Sequence, residues 1–308
     1  MPLDPHIQPI VDLVNAGATP GAEQSLAERR EAYHKLLSAL PPGPDVTSVS
    51  EVLIEGPDSP IAVRIYRPAA QVGIVIFFHG GGWTIGDLDT HDEPCREIAN
   101  QAGATVVSVD YRLAPEAPFP AAIDDSFAAV RWVWANRSDL ATADAKIAVC
   151  GDSAGGNIAA VMCLMARDAE GPDIAAQLLV YPGVDARMTE FDSLDRNGEG
   201  YVLSRDTMEW FSNNYLPNNS DRLDWRASPL LADDLAGLPP ALVITAEFDP
   251  LHDEGSAYAE ALRAAGNDVV HTDYDGMVHI FFQLGPMVPA AAAAVAEVAA
   301  SAKAALAR

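Results

Sequence analysis

Short apolar runs separated by amphipathic segments restrict the folds open to this chain of 308 residues more than any other feature. Most of the intervening segments have helical periodicity, for example Asp92–Ala102, Ala121–Ala135 and Ala154–Arg167. Continuously apolar strands that alternate with helices are typical of a largely parallel sheet covered on both faces, so the pattern predicts an α/β fold. The predicted strands are Ile74–Phe78, Thr105–Val109, Ile147–Cys150, Leu178–Tyr181, Ala241–Thr245 and Asp268–Asp273.

The region before these runs has a different pattern. The first forty residues are predicted to be helical, and the sequence Pro41-Pro42-Gly43-Pro44 then breaks the chain. Two segments of alternating polarity follow, Val46–Ile54 and Ile61–Tyr66, with turn residues between them. They predict an antiparallel pair at one edge of the sheet, which brings the expected number of strands to eight.

One long interval, Ala186–Trp225, interrupts the alternation of strands and helices. It is polar, rich in Asp and Asn, and contains one predicted helix, Ser204–Tyr215. An insertion of this length after a strand is suited to cover a binding site. We expect Trp210 and Phe211 to pack within this cap rather than contact a ligand, since aromatic residues at helical spacing usually lie in a core. The predicted organisation is N-terminal cap helices over residues 1–45, a cap insertion over 186–225, and an α/β core from 46–185 and 226–308.

The charge balance limits the partners of the protein. Acidic residues outnumber basic ones by 44 to 19, so the formal charge is −25. Binding to phosphate requires a basic face, so we expect neither a nucleic-acid partner nor docking on anionic membranes. The start of the chain has no basic segment followed by an apolar one, and the apolar stretch Val288–Ala307 is interrupted by Glu297 and Lys303. We therefore expect a cytoplasmic protein without a membrane span.

The sequence contains no motif for a metal or a cofactor. Cys95, Cys150 and Cys163 form no CxxC pair, and the histidines are scattered. No HExxH, P-loop or GxGxxG signature is present. We therefore expect chemistry that uses neither a metal nor a cofactor.

The most informative motif is Gly151-Asp152-Ser153-Ala154-Gly155. It follows the predicted strand Ile147–Cys150 directly and opens a predicted helix, as a nucleophile elbow requires. A tight turn from strand to helix forces the serine into a strained backbone conformation, and glycine leaves the space that such a turn needs. The motif predicts Ser153 as a nucleophile, although an ordinary glycine-rich connection has the same pattern.

A second motif, His79-Gly80-Gly81-Gly82-Trp83, follows the predicted strand Ile74–Phe78. Consecutive glycines expose backbone N–H groups that no side chain shields. Together with the N–H of Ala154, such donors can stabilise the tetrahedral intermediate of acyl transfer. Each motif alone is a weak signal, but two matching motifs in this order favour an acyl-transfer enzyme.

With these motifs the chain resembles the bacterial hormone-sensitive-lipase family of esterases, also called family IV, in its GDSAG-type branch. The matching pieces span most of the chain from about residue 60 onward: His79–Gly82, Tyr111–Glu116, Gly151–Gly156, Asp249-Pro250-Leu251 and His279. The resemblance implies an α/β-hydrolase fold with a helical cap and a Ser-Asp-His triad. It also implies hydrolysis of short- to medium-chain acyl esters, with Gly81 and Gly82 rather than Gly80 in the oxyanion hole.

His279 is the histidine best placed to be a general base. It follows the last predicted strand, after the predicted loop Tyr274–Val278, and the fold presents its triad in the order Ser, acid, His. Ile280 departs from the resemblance, because the family commonly has glycine at this position. We expect Ile280 to alter the packing beside the base.

Asp249 follows the predicted strand Ala241–Thr245 and matches the Asp-Pro-Leu motif of the family. Its predicted role is to orient the imidazole and stabilise its protonated form. Glu247, Asp253 and Glu254 are close alternatives. We expect each of these to lie on the surface or to cap a helix, as Asp253 could for a helix that starts near Gly255.

The sequence therefore predicts a serine carboxylesterase whose catalytic residues are Ser153, Asp249 and His279, acting on a small-molecule ester. An amidase with the same triad is an alternative. So is a ligand-binding receptor on this scaffold like the plant gibberellin receptors, which have lost the catalytic histidine. The resemblance is also compatible with a homodimer formed through the edge of the sheet.

Overall fold

An eight-stranded sheet lies at the centre of the computed structural model, which describes residues 2–17 and 24–307. The strand order is β1-β2-β4-β3-β5-β6-β7-β8. Strand β2 pairs antiparallel with β1 and with β4, and every other pairing is parallel. The prediction of a mostly parallel eight-stranded sheet is confirmed. The strands are β1 Ser48–Ile54, β2 Ile61–Arg67, β3 Ile74–Phe78, β4 Thr105–Asp110, β5 Ile147–Asp152, β6 Ile174–Val180, β7 Ala241–Phe248 and β8 Val269–Val278.

Two strands differ clearly from their predicted bounds. Strand β6 begins at Ile174, because Ile174, Ala176 and Gln177 extend the ladder with β5 beyond the apolar run that the sequence marks. Strand β8 continues to Val278, so the predicted loop Tyr274–Val278 is part of the strand. Polar residues alternate with apolar ones in this edge strand. Its full length therefore does not show as a continuous apolar run in the sequence.

Helices cover both faces of the sheet. Side chains of Ile74, Ile76 and Phe78 in β3 point to one face, where they form a core with α4, α6 and α9. Val75 and Phe77 point to the opposite face and pack with α3 and α10. The helices are α1 Gln8–Gly17, α2 Leu26–Ser38, α3 Asp92–Ala102, α4 Ala121–Ala135, α5 Arg137–Leu140, α6 Ala154–Asp168, α7 Asp192–Asn197, α8 Arg205–Tyr215, α9 His252–Ala264 and α10 Pro289–Leu306.

The N-terminal helices and the insertion between β6 and β7 contact each other. Asn15 of α1 donates a hydrogen bond of 3.0 Å to the carbonyl of Gly200, and the guanidinium of Arg29 in α2 lies 4.5 Å from the centre of the Trp210 ring in α8. The insertion contains α7 as well as the predicted helix α8. Residues 18–23, between α1 and α2, lie outside the described part of the N-terminal region.

The C-terminal helix α10 is, among the described helices, the one that is long and apolar enough to cross a membrane by length and composition. Ala291, Val295 and Val298 are buried in the core between the sheet and α3. This packing is that of a core helix. The cytoplasmic location stays a prediction.

Candidate active site

Ser153 occupies a sharp turn between β5 and α6. Its backbone has φ +55° and ψ −118°, a conformation that residues with side chains rarely adopt. The turn is possible because Gly155 lies against the backbone of β3, where an added Cβ would collide with the carbonyl oxygen of Phe78. The N-terminus of α6 points its positive end toward the serine. The local sequence thus places the Ser153 hydroxyl at the carboxyl edge of the sheet.

The side chains of Ser153, His279 and Asp249 form one hydrogen-bonded line. The Ser153 Oγ lies 2.9 Å from His279 Nε2, and His279 Nδ1 lies 2.6 Å from Asp249 Oδ2. Asp249 is fully buried and His279 is 4% exposed. The ring of Tyr181 lies 4.6 Å from the imidazole, centre to centre. The structure therefore brings together the three side chains that the sequence selected.

Neighbouring groups hold the carboxylate of Asp249 in place. Its Oδ1 accepts a hydrogen bond of 2.8 Å from the backbone N–H of Leu251. The side-chain amide of Asn197 in α7 donates to the backbone carbonyls of Asp249 and Glu247, at 3.1 and 3.0 Å. Asn197 was not singled out from the sequence, because α7 itself was not predicted. The acid is therefore fixed partly by a residue of the insertion.

The alternative acids have other partners. The expectation for Glu254 was wrong, and Asp253 caps a helix other than the one expected. Asp253 accepts a hydrogen bond from the N–H of Ser193 in the first turn of α7, rather than capping its own helix. Glu254 is buried instead of exposed, and its Oε1 accepts from the N–H groups of Val184 and Asp185. Burial raises the pKa of Glu254 well above its usual value. Glu247 accepts from the N–H of Gly276.

The glycine loop after β3 presents backbone donors beside Ser153. The N–H of Gly80 donates to Asp152 Oδ1 at 3.0 Å, so it is already used. Within the described residues, no acceptor engages the N–H of Gly81 or Gly82, and Ala154 begins a helix whose first N–H groups have no partner inside the helix. Gly82 has φ +57°, and an added Cβ would overlap the Phe211 ring. Three free donors therefore border the serine.

A buried polar network supports this loop. Asp152 Oδ2 accepts from the Gln283 amide at 2.7 Å, and its Oδ1 lies 3.2 Å from His91 Nε2. Burial alone would raise the pKa of Asp152, but His91 and the other nearby imidazoles together outweigh burial and hold that pKa below its usual value. Burial lowers the pKa of His79 to about 4, so this ring stays neutral beneath the loop. Sequence reasoning missed His91 and Gln283, because neither belongs to a local motif.

A cavity of about 330 Å³ opens above the serine. Its walls come from the core and from α1, α2 and α8, and they are mainly apolar. Trp210 and Phe211 pack on each other as expected, with ring centres 5.3 Å apart, and both also line this cavity. Trp83 stacks on Tyr215, with ring centres 4.4 Å apart, and joins the glycine loop to α8. The N-terminal helices and the insertion between β6 and β7 therefore form one wall of the space into which Ser153 opens.

Ile280 follows the imidazole directly and also lines the cavity. Its backbone has φ +71°, in the left-handed region. A β-branched side chain is disfavoured there, whereas glycine adopts this region without strain. The departure from the family pattern is therefore a local source of backbone strain beside the base.

One group among the described side chains offers three potential metal ligands, His34, Asp87 and Asp89, with the ligand atoms within 4.8 Å of one another. These atoms already have partners. His34 Nδ1 lies 2.9 Å from Asp87 Oδ2, and Asp89 Oδ1 accepts from Arg64 at 2.7 Å. The group is best described as an ion-pair cluster that holds α2 against the core.

Several known proteins with similar sequences are named as esterases or ester hydrolases. The sequence profile of the alpha/beta hydrolase fold matches residues 75–283. The carboxylic ester hydrolase LipN of Mycobacterium tuberculosis is 41% identical over 297 residues, which cover 92% of this chain and 78% of LipN. The ethyl acetate hydrolase of Pseudomonas putida is 36% identical, with 94% of each chain covered.

Solved structures agree with this relationship. The esterase of the archaeon Pyrobaculum calidifontis superimposes with a TM-score of 0.93 at 40% identity, and the match covers 99% of each chain. The carboxylesterase EstE1 from a metagenomic library superimposes with a TM-score of 0.88, also at 40% identity, over 92% of this chain and 98% of that one.

Proposed function

Since this chain belongs to the hormone-sensitive-lipase family of alpha/beta hydrolases, we propose that it is a serine carboxylesterase that hydrolyses short- to medium-chain acyl esters through a Ser153–His279–Asp249 triad. The observation that carries the proposal is the hydrogen-bonded line from Ser153 Oγ through His279 to Asp249. No cofactor enters the mechanism.

Acyl transfer begins when Ser153 Oγ attacks the ester carbonyl. His279 Nε2, 2.9 Å away, takes the hydroxyl proton as general base. Asp249 holds the imidazole in the tautomer that leaves Nε2 free to accept, and it stabilises the imidazolium that forms. His279 then protonates the leaving alcohol. The same base next activates a water molecule, which releases the acid and restores the serine.

The oxyanion of the tetrahedral intermediate is bound by the N–H groups of Gly81, Gly82 and Ala154. The engagement of the Gly80 N–H by Asp152 supports this choice, because a donor held by a carboxylate is not available to the substrate. Donors fixed by the backbone need no reorganisation when charge develops on the carbonyl oxygen.

The size of the cavity supports small esters as substrates. At about 330 Å³ it lies near the lower end of the range for ligand pockets, which is roughly 300–1,000 Å³. We propose that residues 1–45 and 186–225 form a cap over a core made of 46–185 and 226–308. The cap then limits the length of the acyl or alcohol group that the site accepts.

The test is release of p-nitrophenol from acetyl, butyryl, octanoyl and palmitoyl esters, with wild type, Ser153→Ala and Ser212→Ala compared. Ser212 lines the same cavity and belongs to no proposed catalytic interaction, so it controls for loss of a hydroxyl there. We expect turnover of the shorter esters by wild type and Ser212→Ala, and a fall of at least about 10³-fold for Ser153→Ala. Full activity in Ser153→Ala would overturn the proposal.

An amide series separates the esterase from an amidase. The anilides of the same acids place a poorer leaving group on the same acyl chains. We expect their turnover to be far below that of the esters. Faster turnover of the anilides would make the enzyme an amidase with this triad, and a folded wild type that cleaves neither series would favour a binding protein.

A further inference from the structure

Helix α2 presents one side to the catalytic cavity. Arg29, Ala32, Tyr33 and Leu36 all line this space, and their spacing places them along one helix face. Arg29 is the only Lys or Arg among the described residues that line the cavity. A permanent positive charge therefore borders a largely apolar chamber that also contains Ser153.

The guanidinium of Arg29 lacks the partners that most other arginines here possess. Among the described residues no carboxylate lies within ion-pair distance of it, whereas the adjacent Arg30 pairs with Glu116 at 2.8 Å. The Arg29 Nε is buried and has no hydrogen-bond acceptor in the described structure. Buried donors without acceptors are rare in proteins, and one beside a cavity requires an explanation.

The acidic side chains that line the cavity are already compensated. Asp185 pairs with Arg187 at 2.6 Å. Asp152 accepts hydrogen bonds from Gly80 and Gln283, and burial favours the neutral form of Glu254 by raising its pKa. Among the described residues that line this space, Arg29 is therefore the charge without a compensating partner, even though the protein as a whole is strongly acidic.

We propose that Arg29 binds a carboxylate on the substrate, so that the preferred esters carry an anionic group away from the scissile bond. Half-esters of dicarboxylic acids and esters of hydroxy acids have this chemistry. The inference rests on the proposed esterase function and specifies its substrate class.

The contact between Arg29 and Trp210 is compatible with this role. The guanidinium carbon lies over the indole ring, 4.5 Å from its centre. An aromatic face does not neutralise the charge of the guanidinium, whose planar fork of N–H donors matches a carboxylate through two parallel hydrogen bonds. Trp210 is therefore a neighbour of Arg29 that leaves its need for an anionic partner unmet.

The test compares esters that carry a remote carboxylate with esters of the same shape in which a primary amide replaces that carboxylate. Monoethyl adipate and ethyl adipamate place the charge on the acyl side, and ω-acetoxyhexanoate and ω-acetoxyhexanamide place it on the alcohol side. Values of kcat/KM are measured for wild type, Arg29→Gln, Arg29→Lys and Lys35→Gln. Lys35 lies on the same helix, pairs with Glu31 and is not a cavity residue, so its variant removes the same charge outside the site.

In one of the two series we expect the kcat/KM of wild type for the anionic ester to exceed that for the neutral ester by at least about tenfold. The series that shows this preference identifies whether the charge belongs on the acyl or the alcohol side of the substrate. Arg29→Gln should abolish the preference and leave the neutral ester within about threefold, while Arg29→Lys keeps part of it and Lys35→Gln keeps all of it. Rising salt should reduce the preference. Equal loss on both esters in Arg29→Gln, or no preference in wild type, would overturn the inference. Turnover of the neutral esters would leave the esterase proposal standing in either case.

Discussion

The edge of the sheet that carries the proposed triad and the proposed cap above it are held in place by different means. Ser153, Asp249 and His279 directly follow strands β5, β7 and β8, and the side chains of Asp249 and His279 are buried. Helix α2 of the proposed cap has one buried apolar side chain, Leu37, and is also attached through partly exposed charged side chains, such as Arg30 with Glu116 and His34 with Asp87. Surface ion pairs contribute little free energy and are weakened by salt.

Because of this difference, we expect the two regions to have different roles in the reaction. Backbone geometry in a buried sheet fixes the reacting groups, so a change there should remove chemistry. The cap supplies side chains to the cavity wall, so a change there should alter which ester is accepted and leave the reaction itself intact. Substitutions in the two regions can test this division.

Asp249→Asn should cause the largest loss. The amide keeps the size of the carboxylate but favours the wrong tautomer of His279, and we expect kcat to fall by about 10³–10⁴-fold. Stopped assays with p-nitrophenyl butyrate measure the loss. Asp253→Asn is the control on the same segment, and it should retain kcat within about threefold. Equal losses in the two variants would remove the special role of Asp249.

Gly82→Ala should reduce kcat by about 10²-fold or more. The new Cβ would meet the Phe211 ring in a backbone conformation with positive φ, and this displaces a proposed oxyanion donor. Gly183→Ala is the matched control, since its Cβ in the same cavity would meet no atom closer than 3.8 Å. Normal kcat in Gly82→Ala would argue against a donor at this position.

His252→Gln should destabilise the core in a pH-dependent way. Hydrogen bonding to Asp273, opposed by burial, raises the pKa of His252 from 6.5 to about 9. The protonated form therefore stabilises the fold fully below pH 6.5, and this contribution disappears as the pH rises through about 9. We expect a loss of about 2–3 kcal/mol near pH 6 that vanishes near pH 10, measured by urea unfolding.

The same measurement on His34→Gln compares the cap with the core. Asp87 also raises the pKa of His34, so its contribution likewise lies below the raised pKa and is lost above it. The His34 side chain is 37% exposed, against 22% for His252. We therefore expect a clearly smaller effect in the cap. A larger effect for His34 would contradict the view that the cap is weakly attached.

Phe211→Ala should change selectivity rather than catalysis. Removal of the ring enlarges the cavity beside the glycine loop, so kcat/KM for octanoyl relative to butyryl esters should rise by about 5–10-fold. Turnover of the acetyl ester should stay within about threefold. Phe191→Ala, in the insertion but outside the cavity wall, should leave the ratio unchanged. A loss of acetyl turnover comparable to that of Gly82→Ala would break the division between core and cap.

Ile280→Gly should have the smallest effect. Ile280→Ala removes the side chain but keeps a Cβ at φ +71°, whereas Ile280→Gly also relieves the backbone. We expect the glycine variant to be more stable than the alanine variant by about 1 kcal/mol in thermal unfolding. Lower stability of the glycine variant would show that Ile280 is not strained.

Much of the fold and of the candidate site could be predicted from the sequence, because the informative signals are local. The turn around Ser153 requires glycine within two residues, and the loop at Gly81 and Gly82 follows its strand directly. The order of the triad along the chain in this fold, Ser, acid and His, then indicated Asp249 and His279. In each case the residues that form the motif are separated by only a few positions in the sequence.

The missed features depend on contacts between distant parts of the chain. His91 and Gln283 meet Asp152 only in the folded protein, and the buried state of Glu254 follows from the path of the segment at Val184. The placement of Phe211 against Gly82 depends on how the cap folds over the core. No spacing rule links such pairs, so the sequence alone could not assign these residues to the site.

Covalent labelling tests the central claim most directly. An organophosphate ester such as paraoxon transfers a diethylphosphoryl group to an activated serine, and mass spectrometry of the digested protein locates it. We expect one group per chain, on the peptide that contains Ser153, and strongly slowed labelling in His279→Ala. Labelling of a different serine, or unchanged labelling of Ser153 without His279, would contradict the account.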